Sequence, residues 1–251
     1  QASPIANATL AENVRMGAPP DDSSDASLCV ALWGACLVED ALRLPAGVAS
    51  EIGERGVNVS GGQRARIAFA RVLYVFAKSH LEGGDAHDAR APLLSVLDDP
   101  LSAVDIAVAH RMYRRGILGV ILTRAVACGN EATARDARDF DRLAGIVSHD
   151  AAARARALVA RLAKTALEEA AAPAQQAAAV RPRPGVVLVL SAHTELLSAH
   201  TSPRDSVLVL AGSSASGPSS VLVQGSYAEC LPAFPAAYEP RASGPIYTEV
   251  W

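Results

Sequence analysis

The stretch Val59-Ser60-Gly61-Gly62-Gln63-Arg64-Ala65-Arg66-Ile67-Ala68-Phe69-Ala70-Arg71 decides how this chain is read. Ser60 stands where a helix N-cap belongs. Gln63, three residues on, completes the S-x-x-Q spacing of a capping box, in which each side chain satisfies the other residue's backbone N–H. The two glycines between them leave the backbone open to close approach. No Gly or Pro interrupts from Gln63 to Lys78. Ile67, Ala70 and Tyr74 share one face, and Phe69, Leu73 and Phe76 fill another, which predicts a largely buried helix. Its first turn offers free N–H groups at the positive end of the helix dipole, the chemistry of a phosphate-binding helix start. A capping box alone also begins helices that bind nothing.

The flanks carry the reading further. Upstream lies Glu51-Ile52-Gly53-Glu54-Arg55-Gly56-Val57-Asn58, and downstream Leu97-Asp98-Asp99-Pro100-Leu101-Ser102-Ala103-Val104-Asp105. Leu93 to Leu97 reads as a short strand buried on both faces, as in a parallel sheet. Asp98 then falls at the C-terminal end of that strand, where open α/β sheets place their ligands. A carboxylate there suits magnesium, which keeps part of its hydration shell.

With these flanks the chain resembles the nucleotide-binding domains of ABC transporters. Val59 to Gln63 matches the signature motif (usually LSGGQ), Leu93 to Asp99 the Walker B strand and its acids, and Ser102 to Asp105 the D-loop. The fold this implies is α/β: a partial P-loop NTPase (RecA-like) ABC ATPase domain with a helical subdomain. The implied cofactors are ATP and Mg2+. In the family two such domains close head to tail around two ATP molecules, each signature facing the other domain's Walker A loop. The resemblance therefore assigns Ser60, Gly61, Gly62 and Gln63 to the partner domain's ATP, with Asp105 also in the nucleotide-binding set. It assigns Asp98 and Gln1 to magnesium, and Asp99, His193 and Gln1 to catalysis.

Asp99 departs from the family pattern. Active sites carry glutamate there, as the general base that polarises the attacking water, and a base must lie within hydrogen-bond reach of its water. Aspartate sets the carboxylate back by one methylene. The run DDPLSAVD resembles the first nucleotide-binding domain of subfamily C exporters, the multidrug-resistance-protein-like group, whose first site is commonly degenerate. The resemblance thus implies nucleotide binding with weak hydrolysis, in a transporter held at the cytoplasmic face of a membrane, with a second nucleotide-binding domain and membrane domains as partners. A non-hydrolysing regulatory module and a non-functional fragment are the alternative readings.

Bulk properties agree with a single domain plus inserts. The chain has 251 residues and a formal charge of −3, too small to imply a nucleic-acid or membrane-surface partner. Half of it is apolar, but aromatics make up only 4%, so side chains that fill a core are scarce. Cys29, Cys36, Cys128 and Cys230 show no C-x-x-C pairing and no zinc spacing, and read as reduced thiols. Cys29 and Cys36, two helical turns apart, are expected to share a packing face. No apolar run is long enough to span a membrane.

Taken in order, Gln1 to Val14 resembles the Q-loop and the segment after it. A phosphate-cradling G-x-x-x-x-G-K-[ST] is absent, because Lys78 and Lys164 both follow alanine, so the sequence is expected to begin mid-domain. Asp21 to Leu44 reads as helices ended by Pro45-Ala46-Gly47, the helical subdomain by resemblance. His80 to Pro92 reads as a surface loop. Residues 1–119 thus hold Q-loop, helical subdomain, signature, Walker B and D-loop. Residues 120–184 form an Ala/Arg-rich insert, expected as a surface helix or a disordered segment. Residues 185–231 carry the switch-histidine strand and the end of the ATPase domain, and 232–251 a linker tail. Two histidines compete for the switch role. Val186 to Leu190 gives His193 a far better preceding strand than His149 has, and a tunable donor there would bind the γ-phosphate. Ser206 to Ala211 and Val221 to Tyr227 read as paired strands.

Overall fold

A computed structural model describes residues 4–16, 24–54, 57–82, 94–98, 100–121, 130–171, 186–190, 207–210 and 221–225. The chain divides into a first unit that runs to Leu190 and a second from Ser191 to Val250.

The first unit is mainly helical. Strand β1 (Ala8–Thr9) pairs antiparallel with β2 (Glu51–Ile52) and leads into α1 (Leu10–Arg15) through a capping box. Thr9 N–H donates to Glu12 Oε2 at 2.9 Å, and Glu12 N–H to Thr9 Oγ1 at 3.1 Å. Buried Asn13 organises the entry. Its Oδ1 accepts from Ala6 N–H at 2.9 Å, and its Nδ2 donates to the carbonyls of Ala6 and Thr9 at 3.0 and 3.1 Å. Arg71 reaches across from α4 (Gly61–Glu82) to the carbonyls of Asn13 and Pro4, both at 2.8 Å.

Helix α2 (Ser24–Gly34) is the centre of the core. Leu28, Cys29, Val30, Ala31 and Leu32 are all fully buried, so the helix is apolar all round and must be covered on every side. α4 and α7 (His149–Ala171) supply most of that cover. Each fully buried Leu or Val contributes about 1.5–3 kcal/mol. Burial also pushes the Cys29 thiol up to about 12, which leaves it unreactive. Cys36 does not share its face. The chain leaves α2 through a Schellman turn, with Leu37 N–H on Leu32 O at 2.8 Å, Cys36 N–H on Trp33 O at 3.1 Å, and Cys36 itself left-handed at φ 55°. The turn places Cys36 beyond the helix end, so the expected common face is corrected.

Helix α3 (Val38–Arg43) follows, then Pro45 and a 3₁₀ turn at Gly47–Ala49. α4 runs as the sequence predicts, with Ile67, Phe69, Ala70, Leu73, Tyr74, Phe76 and Ala77 all buried. α5 (Ile106–Met112) continues into a π-helical segment, Tyr113–Ile121. That segment meets α4 and α2 at glycines: a Cβ on Gly116 would lie 2.5 Å from the Phe69 ring, and one on Gly34 2.6 Å from Leu73.

Within the 120–184 segment the described residues are mainly helical, one of the two forms expected, but the helices pack partly inward rather than lying on the surface. α6 (Asn130–Ile146) and α7 pack on each other and on α2, burying Phe140, Leu143, Ala151, Ala152, Ala155 and Leu158. Alanines that look too small to build a core let α7 lie close against its neighbours. Arg115 of the π segment, 4% exposed, pairs with Asp136 at 2.5 Å and Asp139 at 2.9 Å, both from α6. Its guanidinium also lies over the Trp33 ring, 5.1 Å from the centroid, and Trp33 stacks on Phe140.

Strand β3 (Leu94–Asp98) pairs in parallel with β4 (Val186–Leu190), from Leu94 opposite Val186 to Asp98 opposite Leu190. In the second unit β5 (Val207–Leu210) and β6 (Val221–Gly225) form an antiparallel pair, with an irregularity between Val209 and Leu210.

Candidate functional site

The start of α4 has the capping box that Ser60 and Gln63 predict. Ser60 N–H donates to Gln63 Oε1 at 2.7 Å, and Gln63 N–H to Ser60 Oγ at 3.2 Å. Arg64 N–H makes the first intrahelical bond, to Ser60 O at 2.9 Å. Of the amides a helix start leaves over, two remain: those of Gly61 and Gly62 meet no acceptor among the described residues. The turn is open to water, with Ser60 and Gly61 exposed. Two adjacent donors at the positive end of a 22-residue helix suit an anion.

The glycines serve different ends. Nothing lies within 4 Å of a Cβ built on Gly61, whereas one on Gly62 would stand 2.9 Å from the carbonyl oxygen of Ala103. Gly62 is therefore needed by the chain's own 101–105 loop, and Gly61 is the glycine left open to a ligand. In that loop Leu101 is buried and Asp105 caps α5, its Oδ1 accepting from Val108 N–H at 3.0 Å.

At the far end of β3 the backbone of Asp98 is registered with Leu190 of β4. The side chain of Asp98, and Asp99, His193 and Gln1, lie outside the described residues. His149 begins α7 as an exposed residue, next to Ser148, whose Oγ caps Ala151 N–H at 3.1 Å. Among the described residues no group of three or more His, Cys, Asp and Glu side chains converges on a metal position, and no helix is long and apolar enough to cross a membrane.

No protein-family model matches the chain. Among curated proteins, ATP-binding cassette sub-family C member 10 of Mus musculus is 42% identical over 115 residues, 45% of this chain and 6% of that protein. The Homo sapiens protein of the same name is 41% identical over 115 residues, with the same coverage. Multidrug resistance protein mrp-7 of Caenorhabditis elegans is 37% identical over 113 residues, 45% of this chain and 6% of its own. The chain is related to the subfamily C ATP-binding cassette transporters. It spans about 6% of the length of these relatives. Among solved structures, a bacterial Atm1-family ABC exporter with ATP bound is similar at TM-score 0.46 and 19% identity, over 93% of this chain and 25% of that one.

The described structure brings together Ser60, Gly61, Gly62 and Gln63, and sets the 101–105 loop against Gly62. It also reveals partners that local sequence patterns do not announce. Asp40 of α3 accepts from Gln63 Nε2 at 2.8 Å and pairs with Arg66 at 2.6 Å. Glu39, its neighbour, pairs with Arg142 of α6, Arg142 Nη2 donating to Oε2 at 3.0 Å. That bond holds the Glu39 carboxyl below its ordinary range. The only signal in the sequence is an acidic pair in a short helix; which bases they meet depends on the tertiary fold.

Proposed function

We propose that this chain supplies the signature, Walker B, D-loop and switch portion of a P-loop-type nucleotide-binding domain in a subfamily C exporter. The observation that carries the reading is the Ser60 turn, whose capping box is complete and whose two remaining amides both belong to glycine. In this reading Ser60, Gly61 and Gly62 donate to the phosphates of an ATP held by a second nucleotide-binding domain, and Gln63 shapes the turn. Asp105 stands at the adjacent loop as the cap of α5. Asp98 is an oxygen donor of the kind Mg2+ takes, with Gln1 as its companion.

Asp99 and His193 act on the ATP of the chain's own domain. His193 is preferred to His149 because the strand Val186–Leu190 precedes it in sequence and pairs in parallel with β3. Transport across a membrane, the membrane domains as partners and the cytoplasmic face as location belong to the same proposal. So does the division into 1–119, 120–184, 185–231 and 232–251, with α6 and α7 packed into the helical part.

Hydrolysis at this domain's own site is slow, because an aspartate at position 99 holds its carboxylate one methylene short of the water. The test is Asp99→Glu in the transporter that contains this segment, with nucleotide counted at each site in a single turnover. The proposal expects faster hydrolysis here, within the ~10²–10⁴-fold a positioned general base contributes. An unchanged rate would favour the non-hydrolysing regulatory module instead.

A further inference from the structure

We infer that Asp40 is a positioning residue for the Ser60 turn: it holds Gln63 in the pose that leaves the Gly61 and Gly62 amides free for phosphate. The inference rests on the phosphate reading proposed above and deepens it. Both carboxylate oxygens of Asp40 are committed to the first turns of α4. Oδ1 accepts from Gln63 Nε2 at 2.8 Å and from Arg66 Nη2 at 3.3 Å, and Oδ2 accepts from Arg66 Nη1 at 2.6 Å. The other end of the same Gln63 amide, Oε1, accepts from Ser60 N–H. Gln63 is thus a strut between α3 and the cap of α4, and its carbonyl end is occupied by the turn itself.

Arg66 completes the hold. Beyond its pair with Asp40 it donates to Cys36 O at 2.7 Å and Gly62 O at 3.4 Å, so it bridges the end of α2, α3 and the turn. The ion pair is well sheltered, with side chains 16% and 17% exposed, where a charge-assisted hydrogen bond resists competition from water. α3 is itself fixed on its other side by Glu39 and Arg142 and at its start by the left-handed Cys36. Removing Asp40 frees the Gln63 amide to leave Ser60, whose own N–H then lacks its internal acceptor. The turn loses the arrangement in which only Gly61 and Gly62 are left to donate.

The experiment uses the ¹⁵N-labelled 251-residue chain, titrated with inorganic phosphate while the Gly61 and Gly62 amide resonances are followed. Hydrogen exchange at the Gln63 amide is measured in parallel without phosphate. In wild type and in Asp40→Glu, which can still reach Gln63, phosphate shifts both glycine resonances. In Asp40→Ala the titration midpoint rises at least tenfold or the shift disappears, while the Gln63 amide exchanges about fivefold faster, the loss of roughly one N-cap. Because Asp40→Ala leaves Arg66 unpaired, Asp40→Ala/Arg66→Ala is examined alongside and shows the same two changes if the single variant does not fold. A wild-type response that survives unaltered in these variants, with Gln63 exchange unchanged, overturns the role of Asp40. A wild-type chain whose glycine amides ignore phosphate overturns the phosphate reading and this inference with it.

Discussion

Asp98 and Leu190 face each other as the last registered pair of two parallel strands, although 91 residues of the chain lie between them. Strands that run parallel end on the same side, so Asp98 and Leu190 both stand at the C-terminal end of the pair. The proposed switch residue, His193, follows that strand by three positions in sequence, whereas the competing His149 begins α7 as an exposed residue. In the intact transporter His193→Ala is expected to lower ATP turnover at this site by about 10²-fold or more, in the range of a lost proton-handling group, and His149→Ala to leave it unchanged. Single-turnover counts of nucleotide at each site on the two variants check this; the reverse ranking would reassign the switch.

The α6–α7 hairpin neutralises a buried charge. Arg115 is 4% exposed and its carboxylate partners, Asp136 and Asp139, both come from α6. Asp136→Asn/Asp139→Asn leaves the guanidinium uncompensated, and breaking a buried pair in this way costs about 3–5 kcal/mol. Urea unfolding should show that loss, and a change below about 1 kcal/mol would show that α6 is dispensable to the helical core.

The local features of this fold are legible in the sequence, and the long-range ones are not. Ser60 with Gln63, the apolar faces of α4, and the runs that become β3, β4, β5 and β6 are each encoded within a few residues, by capping chemistry or periodicity. The packing of α6 and α7 is hidden because alanine carries almost no signal of burial, and because Arg115 is neutralised from a helix that begins at Asn130. The same holds at the site. Gly61 and Gly62 look equivalent in sequence, and only the approach of the Ala103 carbonyl separates them. Asp40 was missed since its partners lie 23 and 26 residues away.

That separation of the two glycines is measurable. Gly62→Ala places a methyl against backbone that has little room to yield, and overpacking of this kind costs about 1–3 kcal/mol. Gly61→Ala meets open space, so thermal unfolding should place its stability within about 0.5 kcal/mol of wild type. Equal losses at both positions would contradict the described contact between the turn and the 101–105 loop.

Stability should also depend on pH through His80. Burial lowers its pKa below the ordinary 6.5, only partly offset by the Val120 carbonyl 3.2 Å from Nε2, while nearby Arg161 lowers it further. The folded state therefore prefers the neutral ring. Its contribution is fully present above about pH 6.5 and is lost as pH falls through the window beneath it, where the unfolded chain binds the extra proton. The lowered carboxyls of Glu12 and Glu39 add their own loss only below their ordinary value of 4.5. Urea midpoints for wild type and His80→Asn between pH 7.5 and about pH 5 should converge as the pH falls; parallel curves would remove His80 as the source.

On the proposed reading the Ser60 turn serves an ATP bound by another nucleotide-binding domain. The most direct measurement is site-resolved photolabelling with an azido-ATP in the transporter that contains this segment, comparing wild type with Ser60→Arg. An arginine at that position fills the space before the Gly61 and Gly62 amides and removes the capping hydroxyl. Trapping of nucleotide at the partner domain's site is expected to fall sharply while labelling of this domain's own site stays near the wild-type level. Equal loss at both sites, or no loss at the partner's, would contradict that reading.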